Sequence, residues 1–225
     1  MNTLTRALRC AALSIAAAGA LVAHAAEDFS EAERALFMSN QIANLKPPTT
    51  LRYAYRKAGT MEAGFDDKVE IALSAQPDGK CCSANAQFLT GERKLSLPEV
   101  ESAQGNPVIL YFLERDVREM NRLTKGQAAY FRKRIRMAVY QGASVKPVTL
   151  RWQGREVPGR EITITPYLDD PLRGRFEQLA GKQYVFTLSD AVPGGVYAMR
   201  SRVAGAGAEP LLEELLQVDG AARTN

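Results

Sequence analysis

Leu51, Tyr53 and Tyr55 alternate with Arg52, Ala54 and Arg56, and the same two-residue period returns along most of the chain. Val69, Ile71 and Leu73 alternate with Lys68, Glu70 and Ala72. Val148, Leu150 and Trp152 repeat the pattern, as do Ile162 with Ile164 and Tyr184 with Phe186 and Leu188. Side chains on a strand point to opposite faces in turn, so this period describes strands with one buried face. A third strand is expected from Lys80 to about Leu89, and a last one runs through Val203. Turn formers separate these runs: Pro77-Asp78-Gly79, Gln153-Gly154 and Pro193-Gly194-Gly195. Short strands joined by tight turns imply an antiparallel meander.

Helical spacing breaks the meander in its middle. Asn106-Pro107 supplies an N-cap and an N1 proline. Leu110, Leu113, Val117 and Met120 then form a stripe, widened by Ile109 and Phe112. Gly126 interrupts the helix, and a second one follows to about Gln141 with Ala128, Phe131, Ile135 and Ala138 on one face. Near the start, Ser30 and Glu33 read as a capping box for a helix from Glu31 to Asn44, with Ala32, Ala35, Leu36 and Ile42 inward and Pro47-Pro48 as its stop. Asp170-Pro171 opens a short helix to about Leu179, and Pro210 opens a terminal one carrying Leu211, Leu212, Leu215 and Leu216. A doubly wound sheet would alternate strand and helix one by one. This order instead predicts an α+β fold: a curved antiparallel sheet, an incomplete barrel, of about seven or eight strands with a helical hairpin lid and terminal helices.

The N-terminus is read as a secretory signal peptide over residues 1–25. Arg6 and Arg9 precede an apolar stretch from Cys10 to about Val22, and Ala23-His24-Ala25 places small residues before a cut at Ala26. The apolar run is shorter than the roughly 20 residues of a membrane-spanning helix. Cys10 follows Arg9 and precedes the apolar run, which is the wrong context for a lipoprotein. The expected location is therefore periplasmic or secreted, not integral to a membrane. Residues 26–219 are expected to form one sheet-and-lid domain and 220–225 a flexible tail; Gly205-Ala206-Gly207 reads as a second loose stretch.

Cleavage changes the available chemistry. It removes His24, the sole histidine, and takes Lys+Arg from 29 to 27 against 25 Asp+Glu, so the net charge falls from +4 to +2. Near-neutral charge offers no case for nucleic acid. Without imidazole, Ser-His-Asp and Cys-His catalysis are excluded and metal sites lose their commonest ligand. No cofactor or metal is expected. The mature thiols are the adjacent Cys81 and Cys82, open to three readings: two small hydrophobes facing opposite sides of a strand, a vicinal disulfide, or an intermolecular bridge. Asp66-Asp67 and Asp169-Asp170 are the acidic pairs that a carboxylate hydrolase would use, though Asp170 reads as a cap and Asp66-Asp67 as a turn.

Two groups of residues are candidate binding sites. Arg132, Arg134 and Arg136 on the second middle helix suit an anionic headgroup or an acidic partner; the alternative is a solvated face balanced by Glu114, Asp116 and Glu119. Tyr53, Tyr55, Phe112, Phe131 and Trp152 lie on strands or on the helix pair facing them. They either fill a core or line an apolar ligand cavity under the helices.

The order of elements resembles the periplasmic lipoprotein-carrier (LolA/LolB-like) fold, an incomplete antiparallel barrel with a helical lid inserted midway. The segments Phe112-Leu-Glu-Arg-Asp-Val-Arg-Glu-Met120 and Val192-Pro-Gly-Gly-Val-Tyr197 look like signatures of an uncharacterised bacterial exported family, which implies no activity. The expected function is a non-enzymatic binder or carrier of an apolar ligand such as a lipid or acyl chain. An interaction module of a cell-envelope complex and a carboxylate-dependent hydrolase are the alternatives.

Overall fold

A computed structural model describes residues 29–76 and 81–221. The expected signal peptide, the expected turn at Pro77-Asp78-Gly79 and residues 222–225 lie outside the described residues. The fold is α+β, as the period analysis requires. Eight strands form one open antiparallel sheet: β1 (Thr49–Ala58), β2 (Phe65–Ala75), β3 (Cys81–Phe88), β4 (Ser144–Trp152), β5 (Arg155–Ile164), β6 (Gln183–Leu188), β7 (Val196–Val203) and β8 (Leu212–Val218). Their order is β3-β2-β1-β8-β7-β6-β5-β4. The last strand thus joins two meanders into one surface. The sheet is curved but does not close, and β3 and β4 are its edges.

The terminal helix expected from Pro210 is the strand β8, a correction with a physical cause. Leu211, Leu212, Leu215 and Leu216 suit one helix face, but without β8 both β1 and β7 would present unpaired backbone in the centre of the sheet. Paired on both sides, β8 buries Leu212, Glu214, Leu216 and Val218 and turns Glu213 outward, where it meets Arg202 at 3.6 Å. Gly205, Ala206 and Gly207 lie in the loop leading into it.

The first helix also ends earlier than its pattern suggests. The capping box of Ser30 and Glu33 is present in α1 (Glu31–Glu33), which continues as a π-helical turn over Arg34–Met38. Two side chains then take carbonyls that a continuing helix would need: Ser39 Oγ donates to Arg34 O and Gln41 Nε2 to Ala35 O. Gln41 Oε1 in turn accepts from Asn106 N at 2.8 Å, fixing this segment to the start of the lid. The stretch after Asp170 forms two 3-10 turns, Arg173–Arg175 and Glu177–Leu179, in place of one α-helix. Asp170 does cap it, accepting from Leu172 N at 2.7 Å.

The lid is the helical hairpin α2 (Val108–Thr124) and α3 (Ala128–Gln141). Asn106 starts it, with Oδ1 accepting from Val108 N at 3.1 Å while Nδ2 donates to Tyr53 Oη and Gly194 O. Gly194 has φ +74°, and a Cβ there would meet Leu51 Cδ1 at 2.6 Å and Asn106 Nδ2 at 2.7 Å. The Pro193-Gly194-Gly195 turn therefore needs glycine both for its left-handed backbone and for the approach of the lid. Leu110, assigned to the inward stripe, is exposed, and Val108 and Tyr111 are buried in its stead. Cys81 and Cys82 are joined as a vicinal disulfide at the start of β3, with Cys82 buried and Cys81 exposed.

Candidate functional site

Register places four inward residues in one row across the sheet: Lys57 of β1 faces Glu214 of β8, Glu214 faces Ser201 of β7, and Ser201 faces Tyr184 of β6. All four are buried. A row of polar groups in the centre of a sheet must find partners, because burying them unpaired costs several times what a hydrogen bond gains. Helix α2 brings Arg115, Asp116, Glu119 and Arg122 to this row at helical spacing, although both Glu214 oxygens lack a hydrogen bond and meet only the charge of Arg115.

At one end Asp116 accepts from Lys182 Nζ, Tyr184 Oη and Ser201 Oγ, the last at 3.2 Å. Asp116 and Lys182 have no exposed surface. Tyr184 Oη lies 3.3 Å from Tyr167 Oη, and burial together with the Asp116 charge pushes the Tyr184 hydroxyl far up. In the middle Arg115 Nη2 lies 2.9 Å from Glu214 Oε1, with its guanidinium 5.3 Å from the centre of the Tyr55 ring. Burial raises the Glu214 carboxyl, and the Arg115 charge opposes it. At the other end Lys57 Nζ donates to Glu119 Oε1 at 2.7 Å and to Glu62 Oε2 at 2.6 Å, and Arg122 bridges Glu119 and Glu62. Lid and sheet thus meet along a seam of charges. Such a seam is weak evidence for stability, but it specifies register, because each displaced charge would lose its partner in a dry interior.

Glu119 makes the seam sensitive to acid. Burial resists its ionisation, yet hydrogen bonds from Arg122 and Lys57 outweigh that and hold the carboxyl at about 2, below its ordinary 4.5. A depressed folded-state value stabilises the fold above the unfolded value and loses that contribution as pH falls through the folded one. Stability measured by urea unfolding should therefore drop between pH 4.5 and pH 2. Glu119→Gln should flatten that slope; an unchanged slope would remove Glu119 from the acid response.

The five aromatic residues singled out from the sequence do not line one cavity. Tyr53 is buried and accepts from Asn106 Nδ2 at 2.7 Å. Tyr55 is buried against Phe65 and Phe88, with ring centres 5.8 and 6.1 Å away. Phe112 of α2 is buried in the core. Trp152 stands apart at the end of β4, over Gly220 and beside the Ala221 bridge. Phe131 belongs to a separate aromatic group with Tyr130, Tyr167 and Phe176, all edge-to-face at 5.7–5.9 Å from its ring. Tyr53, Tyr55 and Phe112 thus sit in the core beside the charged seam.

Helix α3 disperses its arginines. Arg132 makes two hydrogen bonds to Glu114, each 2.8 Å long. Arg134 pairs with Asp170 at 2.9 Å and donates to Pro166 O. Arg136 is exposed. Of the acidic neighbours expected on a solvated face, only Glu114 is there; Asp116 and Glu119 turn inward to the seam. The acidic pairs part ways: Asp169 and Asp170 lie in a turn, but Asp66 and Asp67, read as a turn, are strand residues of β2 opposite Arg56 and Tyr55 of β1. Asp67 accepts from Lys68 N, from Thr90 N and Oγ1, and from Arg93 Nε. Asp170 caps the 3-10 segment and accepts from Tyr130 Oη.

A small concavity has aromatic walls and access to solvent. It lies at the turn of the lid, with a volume of about 370 Å³, between residues 124–127 and the 3-10 segment. Phe131, Phe176, Tyr130 and Leu172 form its apolar lining, and Lys125 and Arg175 join it at exposed positions. Gly126 lies against the Phe131 ring, where a Cβ would come within 2.7 Å. A wider concavity of about 1110 Å³ runs along β1, β2 and β8, lined by Tyr55, Phe65 and Leu215 together with Arg56, Asp66 and Glu213 among others. The sequence signal for the smaller pocket was partial: Phe131 was singled out for the helix pair, but Phe176 follows Gly174 and Arg175 in a stretch without period. Nor does sequence spacing reveal that Arg115, Asp116 and Glu119 point inward, since charged helical positions ordinarily mark the solvent side.

Among the described residues no helix is long and apolar enough to cross a membrane. The chain matches no family model and no curated protein sequence. Among solved structures it is similar to the crystal structure of the Mycobacterium tuberculosis lipoprotein LppX, at 8% identity over 80% of this chain and 90% of that one, with a TM-score of 0.33. A likeness that remote bears on neither ligand nor mechanism.

Proposed function

We propose that the protein is a periplasmic, non-enzymatic binding or carrier protein for an apolar ligand such as a lipid or acyl chain. The observation that carries this reading is the aromatic pocket at the turn of the lid. Its volume of about 370 Å³ falls in the range of small-molecule sites, and its lining combines several apolar side chains with a few polar ones. Leu172 and Leu168 extend the apolar surface outward, 39% and 50% exposed. The pocket is already formed, so a ligand entering it meets a preorganised aromatic surface. The charged seam holds the lid to the sheet at depth. The ligand is therefore seated at the outer end of the hairpin, with Phe131 as the contact between pocket and core.

Organic extraction of the protein purified from its native compartment, followed by mass spectrometry, tests this reading. An apolar molecule should be recovered in near-equal amount to the protein, and Phe176→Ala should deplete it. Recovery of no such molecule, together with no chemical-shift change at Tyr130 or Phe176 when lipid probes are titrated, would overturn it.

A further inference from the structure

We infer that the pocket at the turn of the lid selects anionic amphiphiles, with Lys125 and Arg175 receiving the charged head and Phe131 and Phe176 receiving the chain. The inference rests on the proposed binding function and adds the chemistry of the head group. Nine residues line the pocket, and none of them is a carboxylate: Lys125 and Arg175 are its only ionised side chains. Several other cations of the lid are held by carboxylates, although Lys133 and Arg136 stand exposed on α3. Arg132 holds Glu114, Arg122 holds Glu119 and Glu62, and Arg115 holds Glu214. Lys125 and Arg175 have no ion pair within 4 Å among the described residues. Asp170 is buried and paired elsewhere, with Oδ1 accepting from Tyr130 Oη and Leu172 N and Oδ2 in an ion pair 2.9 Å from Arg134 Nε.

Local backbone holds both cations at the mouth. Lys125 is the left-handed residue that ends α2, at φ 60°, its N–H bonded to Asn121 O at 2.8 Å. Arg175 closes the first 3-10 turn, and the next residue, Phe176, is buried, so the cation stays at the surface while the ring goes in. The two cations approach the pocket from different elements, one from the lid and one from the segment facing it. Aromatic faces below and two cations above form a surface complementary to an acyl chain ending in carboxylate, sulfonate or phosphate. Fixed cations at a partly desolvated mouth favour a charged head over a neutral one, and the preference weakens as salt screens it.

The test compares octanoate with octanol, which share a chain and differ in the head, by calorimetric titration of the intact protein. Octanoate should bind about tenfold tighter at low salt, the difference two partly exposed charged contacts supply. Lys125→Gln combined with Arg175→Gln should abolish that difference and leave octanol affinity in place, while Phe176→Ala should weaken both. Both positions are exposed, so the double variant should keep the parent's circular dichroism spectrum. Equal binding of octanoate and octanol overturns the head-group inference and leaves the apolar-ligand reading standing. Failure of both to bind overturns the two together.

Discussion

Lys182→Met is expected to lower the stability of the fold by about 3–5 kcal/mol, because removing one partner of a buried ion pair strands the other. The stranded charge is Asp116. It has no exposed surface and faces Lys182, Tyr184 and Ser201, so without the lysine its two hydroxyl donors must hold a full negative charge in a dry interior. Asp116→Leu combined with Lys182→Met removes both charges, and apolar replacements of a buried pair are often neutral. Most of the loss should therefore return in the double variant, less the hydrogen bonds of Tyr184 and Ser201. Urea unfolding of the two singles and the double completes the cycle. A single variant that loses under about 1 kcal/mol, the scale of an exposed pair, would show the pair to be solvated.

Phe131→Ala is expected to cost a similar amount, about 3–5 kcal/mol, as large aromatic truncations in a core do. Its ring is buried and meets Tyr130, Tyr167 and Phe176 edge-to-face, and Gly126 packs against it. The truncation removes the wall shared by the core and the pocket at the lid turn, so it should also weaken ligand binding. Phe131→Leu keeps most of the volume and should cost less than half as much. Thermal unfolding read by near-ultraviolet circular dichroism follows the loss of aromatic packing directly. Equal stability of the alanine and leucine variants would show that the ring's shape is not what the site depends on.

The two variants probe parts of the molecule that differed in how far they could be read from sequence. Phe131 sits at a helical spacing with Ile135, and inward placement follows from period alone. Lys182 and Asp116 carry no such signal. Asp116 falls between Arg115 and Val117 on a helix with many charges, and Lys182 follows a glycine just before a strand. Nothing local marks either as buried. Their meeting depends on α2 crossing the sheet where β6, β7 and β8 present Tyr184, Ser201 and Glu214 in register. The same reason explains why Arg132 and Arg134 do not gather into one patch: Glu114 and Asp170, which claim them, come from other elements.

Alternation of side chains was enough to establish an antiparallel α+β sheet with a helical hairpin inserted midway, because a half-buried strand and an amphipathic helix each impose a period on their own residues. Tertiary structure alone decided three things. It made Leu212–Val218 the central strand, because β1 and β7 both lacked a partner. It placed a charged seam between lid and sheet, because register across four strands aligned Lys57, Glu214, Ser201 and Tyr184. And it moved the candidate ligand site to the turn of the lid, where Phe176 from a stretch without period meets Phe131. Each of these rests on contacts between residues far apart in the chain, which local periodicity does not encode.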